Sequence, residues 1–292
     1  MKQKKKARLG DAFSAAVMIL WALLCLLPLW IVIASSFSSE QSILTHGYQL
    51  WPREFSLVAY RFLFTGDQMG RAYLVSTAVT VLGTLLGLTL TLSLAYPMSR
   101  PEFAPRNVYA FLVFFTMLFS GGLVSSYILN VNYLHGKDTL WILIVPQALN
   151  AFNVLLMRNF LKTIPTELFE SARMDGAGDL RILLRIIIPL AKPALATIAL
   201  FYAIGYWNDW FSPMLYENNS RLFPLQLFLR NVDMSINFLP TTPEVRSLFQ
   251  GLVPRESVRM ATCVLATGPI VFVYPFLQRF FVKGLTLGSI RG

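Results

Sequence analysis

The chain has 292 residues, 55% hydrophobic and only 14% charged, with a mean hydropathy of +0.56. Soluble domains carry about 25% charged residues, so this composition excludes an ordinary soluble enzyme or binding module and points to an all-α polytopic membrane protein. The net charge of +10 would suit nucleic acid in a soluble protein. Here no basic–aromatic interleaving stands outside the apolar runs, and an excess of Lys and Arg is what the cytoplasmic loops of a membrane protein carry.

Residues 1–12 form a basic N-terminal stretch, MKQKKKARLGDA. The apolar run that follows, 13–37, is too long for a signal-peptide core and has no clear small-residue cleavage site, so it is expected to remain as a first helix. Further runs at 72–97, 107–128, 139–160, 194–216 and 258–280 approach or exceed the ~20 residues that cross a ~30 Å hydrocarbon core. Runs so long and apolar must satisfy their backbone internally, which makes them helices. Six spans in a single transmembrane domain, 13–292, are the expectation. With the N-terminus inside, 16 of the 25 Lys and Arg fall on the cytoplasmic side, and both termini are expected there.

Two external connections are sizeable, 38–71 and 217–257. Each mixes Pro, aromatics and charges, as in WPREFSLVAYRFLF and FLPTTPEVRSLFQGLVPRES, the composition of short interfacial helices or partner-contacting loops. The second span carries GTLLG, placing Gly83 and Gly87 in a small-xxx-small pattern that brings helices close. The third carries SGG at 120–122, which either loosens the helix or permits close packing. On the fourth, Gln147, Asn150 and Asn153 make a polar stripe at i, i+3, i+6 that must face protein or water. Contact with a solute and contact with neighbouring helices fit that stripe equally. Arg158 lies near an inner membrane edge and is placed to snorkel.

The connection 161–193 differs from its greasy surroundings. Four acids (Glu167, Glu170, Asp175, Asp179) and four bases (Arg173, Arg181, Arg185, Lys192) crowd into it. Pro165 suits the start of a helix, whose side is lined by Ile164, Leu168 and Ala172 with Phe169 beside them. Glu170 and Arg173 are spaced for an i,i+3 pair, and Asp175-Gly176 ends the helix because Gly accepts the left-handed conformation. Asp179 is then expected to cap a second helix with the apolar row Leu180, Leu183, Leu184, Ile187, closed by Pro189 and Pro193. Spacing alone fits an amphipathic hairpin on a membrane surface as well as a docking element.

In the fifth span, FYAIGYWNDWFSP holds Asp209, the one acid expected inside a span, about 22 Å along a straight helix from Ala194. Tyr206, Asn208 and Asp209, with Tyr202, Trp207 and Trp210 around them, offer aromatic faces and planar polar groups suited to sugars. The same residues also serve as helix-bridging polar groups and an interfacial aromatic belt. Cys25 and Cys263 fall inside expected spans without ligand spacing, and His46 and His135 lie in polar connections, so no metal site is expected.

The run ESARMDGAGDLRILLRIIIPL resembles the EAA motif of ABC-importer permeases: Glu170, Ala172, Asp175, Gly176, Ala177, Pro189 and Leu190 fit, Ser171 replaces an alanine and Ile188 stands where Leu is usual. YWNDWFSPMLY and the ending RFFVKGLTLGSIRG are similar to the carbohydrate, maltose-type branch, close to its LplC-like subfamily tied to complex oligosaccharides. The resemblance implies an ABC type I importer fold with a cytoplasmic coupling helix between spans four and five, and makes Glu167, Glu170, Ala172, Asp175, Gly176, Ala177 and Pro189 the ATPase-coupling residues. It implies a bacterial inner-membrane location and, as partners, a second homologous permease, two ABC ATPase subunits and an extracellular or periplasmic solute-binding protein. The chain has no G-x-x-x-x-G-K-[ST] run, so ATP and magnesium are expected on the partner ATPase, with no cofactor in this chain and no enzymatic activity of its own. Tyr206, Asn208, Asp209, Gln147, Asn150 and Asn153 are the solute-pathway candidates. The alternatives are a permease for a non-sugar solute and a secondary transporter, which would show inverted repeats and several embedded ionisable groups.

Overall fold

The computed structural model describes the backbone of residues 2–237 and 254–288, and side-chain surroundings for residues 13–236 and 254–271. Among the described residues the regular structure is helical apart from one isolated bridge, Ser38 to Phe55. In chain order the helices are α1 (Lys2–Ser36), α2 (Glu40–His46), α3 (Val58–Leu63), α4 (Gln68–Ser99), α5 (Arg106–Leu118), α6 (Gly122–Ile128), α7 (Ala151–Leu161), α8 (Glu167–Met174), α9 (Asp179–Ile182), α10 (Ile188–Leu190), α11 (Lys192–Asn208), α12 (Phe211–Tyr216), α13 (Leu225–Asn237) and a C-terminal helix, Arg255–Gly288.

Among the described residues, two stretches are long and apolar enough to cross a membrane unbroken, Phe13–Ser36 and Gln68–Ser99. The third and fourth expected spans are instead bent pairs, and each bend has a local cause. The third turns by 109° between α5 and Gly122–Tyr133. Phe119 leaves the helix in an extended conformation and Gly122 adopts φ +82°, so SGG loosens this span. The fourth bends by 49° between the turns of Leu140–Gln147 and α7, where Pro146 lacks an N–H. The fifth, expected over 194–216, follows an 81° bend between Asp179–Leu190 and α11 and ends at Asn208 rather than running on to 216. Pro213 cannot donate to the Asp209 carbonyl, and the Asp209 carboxylate accepts the N–H groups of Phe211 and Ser212 at 3.1 Å each, offering the backbone an alternative to the helix. The sixth, 258–280, falls within the C-terminal helix, with side chains from 272 onward outside the described residues; most of FLPTTPEVRSLFQGLVPRES is outside them too.

The chain forms two compact units. One comprises Met1–Asp67 with Leu229–Gly268. The two connections expected to be external meet at Glu40, whose carboxylate accepts the N–H groups of Glu256 and Ser257 at 3.0 Å each and so caps the C-terminal helix. The Phe37 ring stacks on Phe55 (5.7 Å) and Tyr60 (5.0 Å), and Arg259 pairs with Asp233 and Glu256 at 3.2 Å each.

The other unit comprises Gln68–Phe228 with Pro269–Gly292. At its centre α4 packs against α11 and α7, around a buried core that includes Met98, Ile142, Val154, Met157 and Ile198. The small residues expected to bring helices together do so. A Cβ on Gly87 would lie 2.9 Å from Tyr202 ring carbons, and one on Gly83 would run into the Tyr206 ring.

Candidate coupling segment and solute cleft

The segment after α7 is built as two short helices around a glycine. α8 starts at Glu167, two residues later than Pro165 suggests, because the Thr166 carbonyl accepts the first turn's bonds from Phe169 (2.9 Å) and Glu170 (3.1 Å). Glu167 and Glu170 sit in that first turn, where negative charge opposes the helix dipole favourably. The end is a Schellman motif: Gly176, at φ +76°, donates to the Arg173 carbonyl and Ala177 to the Ala172 carbonyl, both at 2.9 Å. Asp175 is the capping residue.

Three side-chain expectations are corrected here. The buried face of α8 is Phe169 and Ala172, while Leu168 is exposed. Arg173 pairs with Asp179 (3.1 Å) and Glu102 (3.7 Å), not with Glu170, because the Schellman turn folds the second helix back beside it. Gly178 rather than Asp179 caps α9, and while Ile187 and Leu183 of the expected row face inward, Leu180 and Leu184 are exposed and Ile182 is buried instead. A π-turn over Leu183–Ile187 causes that last shift: its i→i+5 bonding places residues five apart on one face. Glu167, Glu170, Asp175, Gly176 and Pro189 are all exposed, beside exposed Leu168, Met174, Leu180 and Leu184. The segment thus presents a mixed acidic and apolar outer surface on a rigid turn.

In the same unit lies a cleft of about 520 Å³ between the start of α7 and α11. Gln147, Asn150 and Asn153 line one wall, and Phe201, Tyr202 and Tyr206 the other. The polar trio converges as expected, but not as a helical stripe. Gln147 sits in a 3₁₀ turn and the Asn150 side chain caps α7 by accepting the Asn153 N–H at 3.2 Å. The two tyrosines are locked by hydrogen bonds: Tyr202 Oη to Thr91 Oγ1 (2.8 Å) and the Asn150 N–H (3.1 Å), Tyr206 Oη donating to the Ile144 carbonyl (2.7 Å). Asp209 lies at the break after α11, so Tyr206 and Asp209 do not share a helical face. Its carboxylate accepts the Gln147 amide as well as two backbone N–H groups, and Gln147 also donates to Ser212 Oγ at 2.9 Å. Asp209 therefore orients Gln147 rather than opening onto the cleft, and Asn208 is exposed without lining it. Phe152 and Phe201, whose ring centroids are 6.3 Å apart, supply apolar faces in the cleft that sequence reading passed over. Each lies on the same helix as an expected polar residue, which is the signal that was available.

Residues 83–287 match the family described as the binding-protein-dependent transport system inner membrane component. The chain belongs to that family. Among relatives of this permease, a Bacillus subtilis protein named as a polygalacturonan/rhamnogalacturonan transport system permease, YtcP, is 41% identical, with 98% of this chain and all of that one covered. Protein LplC of the same organism is 39% identical over 91% of this chain and 90% of that one. A solved bacterial ABC transporter involved in import of the acidic polysaccharide alginate is similar in structure, with a TM-score of 0.81 and 32% identity over 94% of this chain and 97% of the other. The permease has the type I importer fold, and it is a bacterial membrane transport component rather than an enzyme.

Proposed function

We propose that this permease forms half of the pathway of an ATP-driven, binding-protein-dependent importer of oligosaccharides cut from acidic polysaccharides. A second homologous permease completes the pathway, a solute-binding protein delivers the sugar from outside, and two ATPase subunits hold ATP and magnesium below. Both termini and the segment 161–193 face the cytoplasm. The observation that carries this reading is α8 with its Schellman turn: a short, stiff helix, anchored inward by Phe169 and Ala172 and showing Glu167, Glu170 and Asp175 outward. A rigid helix held this way passes a rigid-body displacement from an ATPase groove into the spans.

The cleft supplies the other half of the reading. Phe152 and Phe201 offer faces for sugar C–H surfaces, and Gln147 and Asn150 offer planar amides for hydroxyl groups. What the relatives are named for supports polyuronide-derived sugars over amino acids or peptides. ATP binding closes the ATPases, draws the coupling segments together and shifts the cleft from inward- to outward-facing, a population shift driven by differential contacts. The test is uptake into proteoliposomes holding the whole complex. Labelled oligogalacturonides are expected to enter only with ATP and the binding protein. Uptake that persists without ATP, as for a secondary transporter, or that favours peptides, overturns the reading.

A further inference from the structure

The stretch SRPEF, residues 99–103, follows the end of α4. Arginines tie off that helix end: Arg158 Nε donates to the Met98 carbonyl at 3.1 Å and an Arg106 guanidinium nitrogen to the Arg100 carbonyl at 3.3 Å, satisfying terminal carbonyls. Arg100 itself turns inward. It is only 7% exposed, and its guanidinium carbon lies 3.2 Å from the ring centroid of Phe169, the buried anchor of α8. Its Nε is buried with no hydrogen-bond partner, with a Glu102 carboxylate oxygen 3.6 Å away. Glu102 also reaches Arg173 of α8, at 3.7 Å. Burial pushes the Arg100 guanidinium down from its ordinary pKa, though arginine stays charged in proteins.

A methionine or leucine at position 100 would fill the same space without desolvating a charge. A planar cation on a ring face does something that hydrocarbon does not: it fixes one orientation between two elements. The two elements here are α8 and α4, which are far apart in sequence. Further along α4, about 20–25 Å from Arg100, Gly87 and Gly83 lie against the rings of Tyr202 and Tyr206 in the wall of the cleft.

We propose that Arg100 is a positioning residue whose guanidinium, seated on Phe169, makes the coupling helix and α4 move as one body. A displacement of α8 then reaches the cleft through α4 and its Gly87–Tyr202 and Gly83–Tyr206 contacts, in addition to the covalent route through α9 to α11. This inference rests on the permease–ATPase reading above.

The experiment uses the whole complex in proteoliposomes, with Cys25 and Cys263 replaced by alanine and Leu149→Cys, on the cleft wall, as reporter. A membrane-impermeant maleimide reads its labelling rate with and without ATP–vanadate, and ATP hydrolysis is measured in parallel. In the parent, trapping is expected to change the rate about tenfold, within the usual range for coupled sites. Arg100→Met and Phe169→Leu should cut that change below about twofold while at least half of the ATP hydrolysis remains. Arg100→Lys, whose ammonium keeps the charge on the ring but not the planar stack, should recover part of it. The double variant should be no worse than either single one, because both break one contact. Full response in Arg100→Met, additive losses in the double variant, a Lys variant no better than Met, or a loss matched by equal loss of hydrolysis overturns the inference. A parent that shows no nucleotide response while its ATPase copurifies brings down the importer reading, and this inference with it.

Discussion

Glu217 gives the sharpest stability prediction. It follows α12, is 4% exposed, and neither carboxylate oxygen has a hydrogen-bond partner. Burial, then the nearby Asp138 charge, pushes its pKa up from 4.5 to about 8. Asp138 shifts the opposite way, because its carboxylate accepts the N–H groups of Asn218 and Asn219. The sign follows from linkage. Between pH 4.5 and 8 the folded protein holds a proton on Glu217 that the unfolded chain has released, so stability falls as pH rises through that window. The slope is about 1.4 kcal/mol per pH unit, and from pH 5 to pH 8 the loss comes to roughly 3 kcal/mol. Glu217→Gln keeps the shape and removes the titration. Thermal unfolding of the purified protein in detergent should show the wild type losing about 5 °C more than the variant between those two pH values. Groups that titrate in both proteins cancel in the difference. Parallel Tm curves for the two proteins would refute the reasoning.

Gly176→Val should cost about 1–2 kcal/mol from the left-handed conformation alone, since a Cβ there meets nothing within 4 Å; Gly176→Asn should be milder, and a Tm series across the three residues checks it. In transport, Gly176→Val is expected to abolish ATP-driven uptake while sugar binding by the external protein stays intact. Gly87→Leu forces the Tyr202 ring from its hydrogen bonds to Thr91 and Asn150, an overpacking of about 1–3 kcal/mol that should appear as a lower Tm. Gln147→Leu removes one donor from Asp209, which keeps its two backbone N–H groups. It should slow uptake more than it lowers Tm, and a large Tm loss with normal uptake of oligogalacturonides would contradict the cleft assignment.

Local chemistry was legible in the sequence and long-range choices were not. The Asp175-Gly176 stop shows in two letters because a left-handed cap depends on the residue that adopts it. GTLLG likewise announced close packing, and both glycines do meet rings. The apolar rows held in part: Ile187 and Leu183 face inward as expected, but Leu180 and Leu184 are exposed and Ile182 is buried instead, because a π-turn breaks the 3.6-residue period. Hydropathy runs cannot show bends, since a break of a few residues at 119–121 or 148–150 leaves the average apolar. Arg173 had an acid three residues before it, yet pairs with Glu102, which only tertiary structure brings near. The role of Arg100 is not legible in the sequence for the same reason: its partner Phe169 is 69 positions away.

One measurement addresses the central claim directly. Glu170→Cys, on the outer face of α8, is treated with a short bifunctional crosslinker in intact cells and in inverted membrane vesicles. The account predicts that the cysteine is shielded from an impermeant reagent in cells, reacts in inverted vesicles, and is captured there by a subunit that hydrolyses ATP. Labelling from outside the cell, or vesicles in which the reactive cysteine captures no such subunit, would contradict it.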